Sequence, residues 1–258
     1  MDNSPVPATM PHAIHGDGPA NVIALHGWLS DRHAFDALVP LLDRQAFTFV
    51  MPDVRGYGEA MHVSGEFTID EIARDVLALA DSLGWQSFSL VGHSMGGKAA
   101  QRVLAMAPDR VSRLVGISPV PASGVPFDGP TAAMFQRAVT EAEVRRQILD
   151  WGTGSRYHHV WLDTMVEHSV TRSAPEAFAG YLKSWSGGDF HAEVAGVDLP
   201  VKIILGAHDP DLTAEVMRAT LLQWFPKAEL EVFADAGHYA IDETPIALAT
   251  AVQRFLTK

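Results

Sequence analysis

The chain has 258 residues, 47% of them apolar and 19% charged, which suits one large core or a core carrying an insertion. Its net charge of −12 lacks the basic footprint of a nucleic-acid partner and suits anionic membranes poorly. There is no cysteine, so disulfides, thiolate metal sites and a cysteine nucleophile are excluded.

The opening Met1-Asp2-Asn3-Ser4-Pro5 lacks the basic start and apolar run of a secretory signal, and no apolar stretch approaches transmembrane length. A soluble cytoplasmic protein is expected. Residues 1–20, with Pro5, Pro7, Pro11 and Pro19, read as a loose lead-in with room for one edge strand. Val22 to His26 is a short apolar strand ended by Gly27-Trp28, and a helical segment follows Ser30-Asp31. Phe47 to Met51 is the next strand, stopped by Pro52-Asp53, with the loop Asp53-Val54-Arg55-Gly56-Tyr57-Gly58 behind it. Thr68 to Leu83 has a helical apolar face, and Thr68 with Glu71 has capping-box spacing. Apolar residues from Phe88 to Val91 form a strand, a helix runs on to Ala107-Pro108, and Leu114 to Ser118 is a further strand. Short apolar strands alternating with helices indicate an α/β fold, a mostly parallel sheet covered on both faces.

Past Pro119 the alternation stops. Helical patterns at about Thr131–Leu149, Tyr157–Val170 and Pro175–Ser184 are punctuated by glycine and proline, with no strand signal before Asp198. Residues 119–198 are therefore expected to be a helical cap insertion, and 1–118 with 199–258 the core domain. The core resumes with the strand Val201–Leu205, a helix from about Ala214 to Phe225, the strand Glu229–Phe233 and a last helix from about Pro245 to Leu256.

The chemistry is concentrated at Gly92-His93-Ser94-Met95-Gly96, a G-x-S-x-G between a strand and a helix. In that context a serine sits on a strained turn with its hydroxyl clear of the sheet, and the glycines remove Cβ atoms where strand and helix close together. Gly92 to Lys98 also fits a phosphate-binding G-x-x-x-x-G-K, but Ala99 stands where that loop needs Ser or Thr for Mg²⁺. Two polar loops follow the last two strands, Gly206-Ala207-His208-Asp209 and Ala236-Gly237-His238-Tyr239. The carboxyl ends of parallel strands share one edge, so Ser94, Asp209 and His238 are brought to it together. Asp211 and Asp235 lie near the same strand ends, but Asp211 more naturally starts the next helix with Thr213 and Asp235 points to solvent.

On these residues the chain resembles the α/β-hydrolase superfamily, in its capped, esterase-like members. The resemblance runs from about Val22 to Leu256. It rests on His26-Gly27, Asp53-x-Arg55-Gly56-x-Gly58, Gly92 to Gly97, Gly206-x-x-Asp209 and Gly237-His238, in the family's order. It implies Ser94 as nucleophile, His238 as base, Asp209 as the acid that orients it, and the backbone N–H groups of Trp28 and Met95 as the oxyanion hole. The family's usual pair of N-terminal strands is expected to be shortened here.

The insertion is rich in aromatic and methionine residues. Most pack its own core, and Trp161 and Trp185, with His26 and Tyr239, are expected to line a substrate pocket. His93 is expected to be a packing residue of the elbow, and Asp53 with Arg55 a structural pair. His12, His15, His158 and His159 lack partners at metal-ligand spacing, so neither metal nor cofactor is expected. The expected activity is hydrolysis of a small to medium carboxylic ester with an apolar acyl or alcohol part, through an acyl-enzyme. A serine rather than aspartate nucleophile argues against dehalogenase and epoxide hydrolase chemistry. Thioester, lactone or carbon–carbon bond hydrolysis, cyanohydrin lysis and perhydrolysis use the same site. A hydrolase-like ligand receptor with little turnover is the alternative of another class.

Overall fold

The computed structural model describes residues 10–258. Pro5, Pro7 and the opening residues read for a signal lie outside the described residues. Among the described residues a seven-stranded sheet has the order β1-β3-β2-β4-β5-β6-β7. Its strands are β1 (His12–His15), β2 (Ala20–Leu25), β3 (Phe47–Pro52), β4 (Phe88–His93), β5 (Val111–Ile117), β6 (Val201–Gly206) and β7 (Ala228–Phe233). Only β1 runs antiparallel, against β3, so the lead-in does contribute one edge strand. The central pairs are parallel, with Val22 opposite Ser89 and Gly92 opposite Gly116.

Side chains of one strand point alternately to the two faces, and here both faces are buried. Ile23, Leu25, Leu90 and Ile203 join one cluster, while Val22, Ala24, Val91 and Ile204 join the other. The first face is covered by α1 (Ile69–Ser82) and α2 (Met95–Met106), whose Val76, Leu79 and Val103 are fully buried. The second is covered by α11 (Pro245–Leu256) through Leu248, Val252 and Phe255. Thr68 caps α1 by accepting from the Glu71 N–H, as its spacing predicts. The Glu71 carboxylate, however, reaches the N–H of Phe67 rather than that of Thr68.

Between β5 and β6 lie α3 (Gly129–Arg137), α4 (Ala142–Gly152), α5 (His159–Thr171), α6 (Pro175–Gly187) and the short α7 (His191–Val194). The single helix expected over Thr131–Leu149 is two. The chain breaks at residues 138–141, and the buried Arg145 guanidinium donates to the freed carbonyls of Ala138 and Val139. The helix expected over Ala214–Phe225 is likewise α8 (Ala214–Ala219) and α9 (Leu221–Trp224), parted at Thr220. The segment after Asp31 makes only 3-10 turns at Arg32–Phe35 and Val39–Leu41. The short α10 (Ala240–Glu243) precedes α11. Among the described residues no helix is long and apolar enough to cross a membrane.

Candidate active site

Ser94 joins β4 to α2 with φ 53° and ψ −115°, a conformation an L-residue adopts only under constraint. The constraint comes from the close approach of the two elements. A Cβ on Gly92 would lie 2.3 Å from the carbonyl oxygen of Gly96, and one on Gly96 would lie 2.3 Å from that of Leu25. The Ser94 N–H donates to Ile117 O (3.0 Å), and its carbonyl accepts from Gly97 (2.9 Å) and Val120 (3.0 Å). With its backbone fully engaged, Ser94 does not cap the helix with its side chain, which faces a cavity instead.

His238 follows β7 and lines the same cavity. Its N–H donates to Gly152 O at the end of α4 (2.8 Å), so the helical segment holds this loop. His238 Nδ1 lies 2.8 Å from Asp209 Oδ2, and Asp209 Oδ1 accepts from the N–H groups of Asp211 and Leu212, each at 3.0 Å. A carboxylate saturated in this way is an acceptor, so Nδ1 carries the proton and Nε2 is left with its lone pair. Burial opposes the imidazolium, but the Asp209 carboxylate beside it, with Asp211 and Glu243 beyond, raises the His238 pKa above the ordinary histidine value. Burial works against the Asp209 charge as well, yet His238 and the two N–H donors hold its carboxyl below the usual range.

The loop after β2 brings in the third part. His26 is buried, donates from Nδ1 to Gly27 O (2.8 Å) and accepts at Nε2 from the Val54 N–H (3.2 Å). These bonds define a neutral tautomer and fix the plane of the Gly27–Trp28 peptide, which carries the Trp28 N–H. The Trp28 indole donates to Phe178 O (2.9 Å) and stacks on the Phe178 ring at 3.9 Å, while the Tyr57 hydroxyl donates to Trp28 O (2.9 Å). Met95 is the first residue of α2, where backbone N–H groups have no partner within the helix.

The cavity encloses about 830 Å³, the open solvent at its mouth included. Ser94, His238 and Asp209 share its wall with Trp28, Trp185 and Tyr239. Two residues expected in that wall are elsewhere. His26 lies behind it, its ring fully occupied by backbone groups. Trp161 stands a layer back, its ring 5.8 Å from that of Tyr239. Phe127, Phe135 and Met165 take up the apolar wall instead, and the only sign of this in the sequence is the general richness of the insertion in such residues.

The remaining polar residues resolve individually. His93 donates from Nε2 to His238 O (2.9 Å), is 3% exposed, and its pKa is pushed down by burial to about 3. Asp53 and Arg55 do not pair with each other. Asp53 binds Arg32 (2.9 Å) and the N–H groups of Arg32 and Glu59, while Arg55 binds Asp75 (2.6 Å). Two residues apart in one loop, each has its partner on another segment of the chain. Lys98 is buried, and its ammonium donates to the carbonyls of Trp185 (2.9 Å) and Gly188 at the end of α6, away from the glycine turn. Asp235 is exposed, and Thr213 rather than Asp211 caps α8. Asp31, which the sequence does not single out, is fully buried and accepts from the N–H of His33, from His168 and from Arg172, tying the β2 loop to α5.

A family model described as alpha/beta hydrolase fold matches residues 20–156. The chain is 29% identical over 242 residues to the dihydrolipoyllysine-residue acetyltransferase component of the acetoin cleaving system of Cupriavidus necator, covering 88% of this chain but only 61% of that one. It is 29% identical over 196 residues to Esterase YbfF of Escherichia coli, covering 72% and 73% of the two. Among solved structures, the enol-lactonase of Burkholderia xenovorans superposes with a TM-score of 0.85 at 25% identity over 96% of each chain.

Proposed function

Because the chain belongs to the alpha/beta hydrolase fold family, we propose that it hydrolyses small to medium carboxylic esters through an acyl-enzyme on Ser94. Ser94 Oγ attacks the ester carbonyl while His238 Nε2 takes its proton. Asp209 holds the Nδ1 proton and stabilises the imidazolium. The Trp28 and Met95 N–H groups receive the developing oxyanion, and His238 returns the proton to the departing alcohol. Water then attacks the acyl group with His238 again as base. Residues 119–198 act as a cap over the site, which accounts for Phe127, Phe135 and Trp185 lying in the cavity wall.

The observation that carries this reading is a strained serine sharing a cavity with a histidine whose far nitrogen is 2.8 Å from a buried carboxylate. Its test is labelling with a fluorophosphonate together with turnover of p-nitrophenyl butyrate. The wild type should be labelled at Ser94 and turn over, and Ser94→Ala should lose at least about 10³ in kcat while unfolding normally in urea. Stoichiometric labelling without turnover would instead identify a ligand receptor. The likeness to an enol-lactonase favours a second reading on the same machinery, a cyclic ester. A kcat/KM for γ-lactones above that for open-chain esters would select it.

A further inference from the structure

We infer that the alcohol half of the substrate is neutral or cationic, never anionic, and that Asp211 and Asp242 at the cavity mouth impose this choice. The inference rests on the reading of Ser94 as nucleophile and His238 as its base. It starts from the uneven distribution of groups around the cavity. In its wall Trp28, Phe127, Phe135 and Trp185 form a connected aromatic cluster, with ring centroids 4.4 Å apart for Phe127 and Phe135 and 5.6 Å for Trp28 and Trp185. Asp211 and Asp242 line the same space and reach solvent; partial burial raises the carboxyl pKa of both, that of Asp242 to about 7, so Asp242 carries its charge at pH 8.5.

The two carboxylates belong to the elements that hold His238. The Asp211 N–H donates to Asp209 Oδ1 (3.0 Å), and the Asp242 N–H donates to Tyr239 O (2.9 Å), one residue beyond His238. In a serine acyl transfer the histidine hands its proton to the leaving oxygen, so the leaving group departs on the histidine's side. The acyl group is then left against the aromatic wall, and the alcohol passes the two acids. Nothing in the cavity wall neutralises them, since no lysine or arginine lines it among the described residues. Asp31, Asp53 and Asp209 each have an ion-pair partner, whereas Asp211 and Asp242 have none among the described residues. The charges that reach Asp211 are those of Asp209 and His238, and those that reach Asp242 are Glu243 and His168, the latter already bonded to Asp31. A net charge of −12 on the whole chain adds to the field. Nucleotide-bearing thiols and phosphorylated alcohols are therefore poor leaving groups here, while hydroxylated or ammonium-bearing alcohols suit it.

Three phenylacetate esters of matched shape test this: those of choline, of 3,3-dimethylbutanol and of 2-hydroxyethanesulfonate. Each kcat/KM is measured at pH 8.5 in low salt and divided by the hydroxide-catalysed rate of the same ester, which removes inductive differences between the alcohols. The choline ester should exceed the sulfonate by at least about thirtyfold with the neutral ester between, and 0.5 M NaCl should shrink that ratio several-fold by screening exposed charges. In the Asp211→Asn/Asp242→Asn variant the ratio should fall to within about threefold of one, with each single change giving part of the loss. A wild-type ratio near one, a preference for the sulfonate, or a ratio untouched by the substitutions would overturn the inference. If the enzyme turned over none of the three and Ser94 failed to react with a fluorophosphonate, the hydrolase reading itself would fall and this one with it.

Discussion

Two strands bring a histidine to the same sheet edge, His93 as the last residue of β4 and His238 in the loop after β7, and the rings lie 5.0 Å apart. His93 is buried and His238 half-buried, and loss of water pushes both toward the neutral form. His93 follows burial down to about 3, with the His238 charge adding to it, and among the described residues its Nδ1 has no hydrogen-bond partner. That nitrogen fits only because Gly27 opposite has no side chain; a Cβ there would come within 2.8 Å of it. His238 is raised instead, because Asp209 meets its Nδ1. The carboxylate separates a histidine whose charged form is favoured from one held in its neutral form.

Removing that carboxylate is the most severe way to break the contrast. Asp209→Asn keeps the size but disturbs the Nδ1–H tautomer of His238, and kcat on one ester should drop by about 10² or more. Asp235→Asn, an exposed neighbour, should stay within about tenfold of wild type when assayed beside it. Wild-type activity in Asp209→Asn would show that another group orients the ring.

The pH profile sharpens the comparison at a smaller scale. If the neutral form of His238 takes the Ser94 proton, kcat/KM falls about tenfold per pH unit on the acid side of its pKa. Asp209 raises that pKa, so the midpoint should lie above 6.5 and move down in Asp209→Asn. A flat profile between pH 5 and 9 would contradict the assignment.

The smallest effect is on stability. His93 binds its proton near pH 6.5 when unfolded but only near 3 when folded, so its contribution is present above 6.5 and is lost as pH falls through that interval. His26, also lowered by burial, acts in the same direction. His93→Gln should reduce the loss of stability between pH 7 and 5 by up to about 1.4 kcal/mol per pH unit, read from urea midpoints. Equal losses in variant and wild type would show that His93 does not titrate in this way.

The strands were legible because short β-branched and aliphatic runs ended at Gly, Pro or Asp, as in Phe47 to Pro52 and Val201 to Gly206. Ser94, Asp209 and His238 were legible as a group because parallel strands bring their carboxyl ends to one edge whatever the details of packing. What escaped depends on contacts distant in sequence. The break between α3 and α4 is stabilised by Arg145 turning inward to two carbonyls, and no local pattern marks an arginine for burial. In the sequence Asp31 merely precedes a helical segment, yet it binds His168, a residue 137 positions away. Trp161 and Trp185 look alike in composition, and only the course of α5 and α6 decides that Trp185 reaches the cavity while Trp161 stops at Tyr239.

The three attachments of Trp28 bear on inheritance. Its indole is held by the carbonyl of Phe178, its own carbonyl by Tyr57, and its N–H by the peptide plane that His26 fixes. One residue of the loop after β2 thus depends on main-chain geometry within α6. The helical segment cannot be exchanged as an independent module: a transplanted replacement would have to bring its own carbonyl to the indole and its own flat ring beneath it. Remodelling of this segment is therefore confined to changes that leave in place the turn around Phe178, the Gly152 carbonyl that holds the His238 loop and the His168 and Arg172 bonds to Asp31.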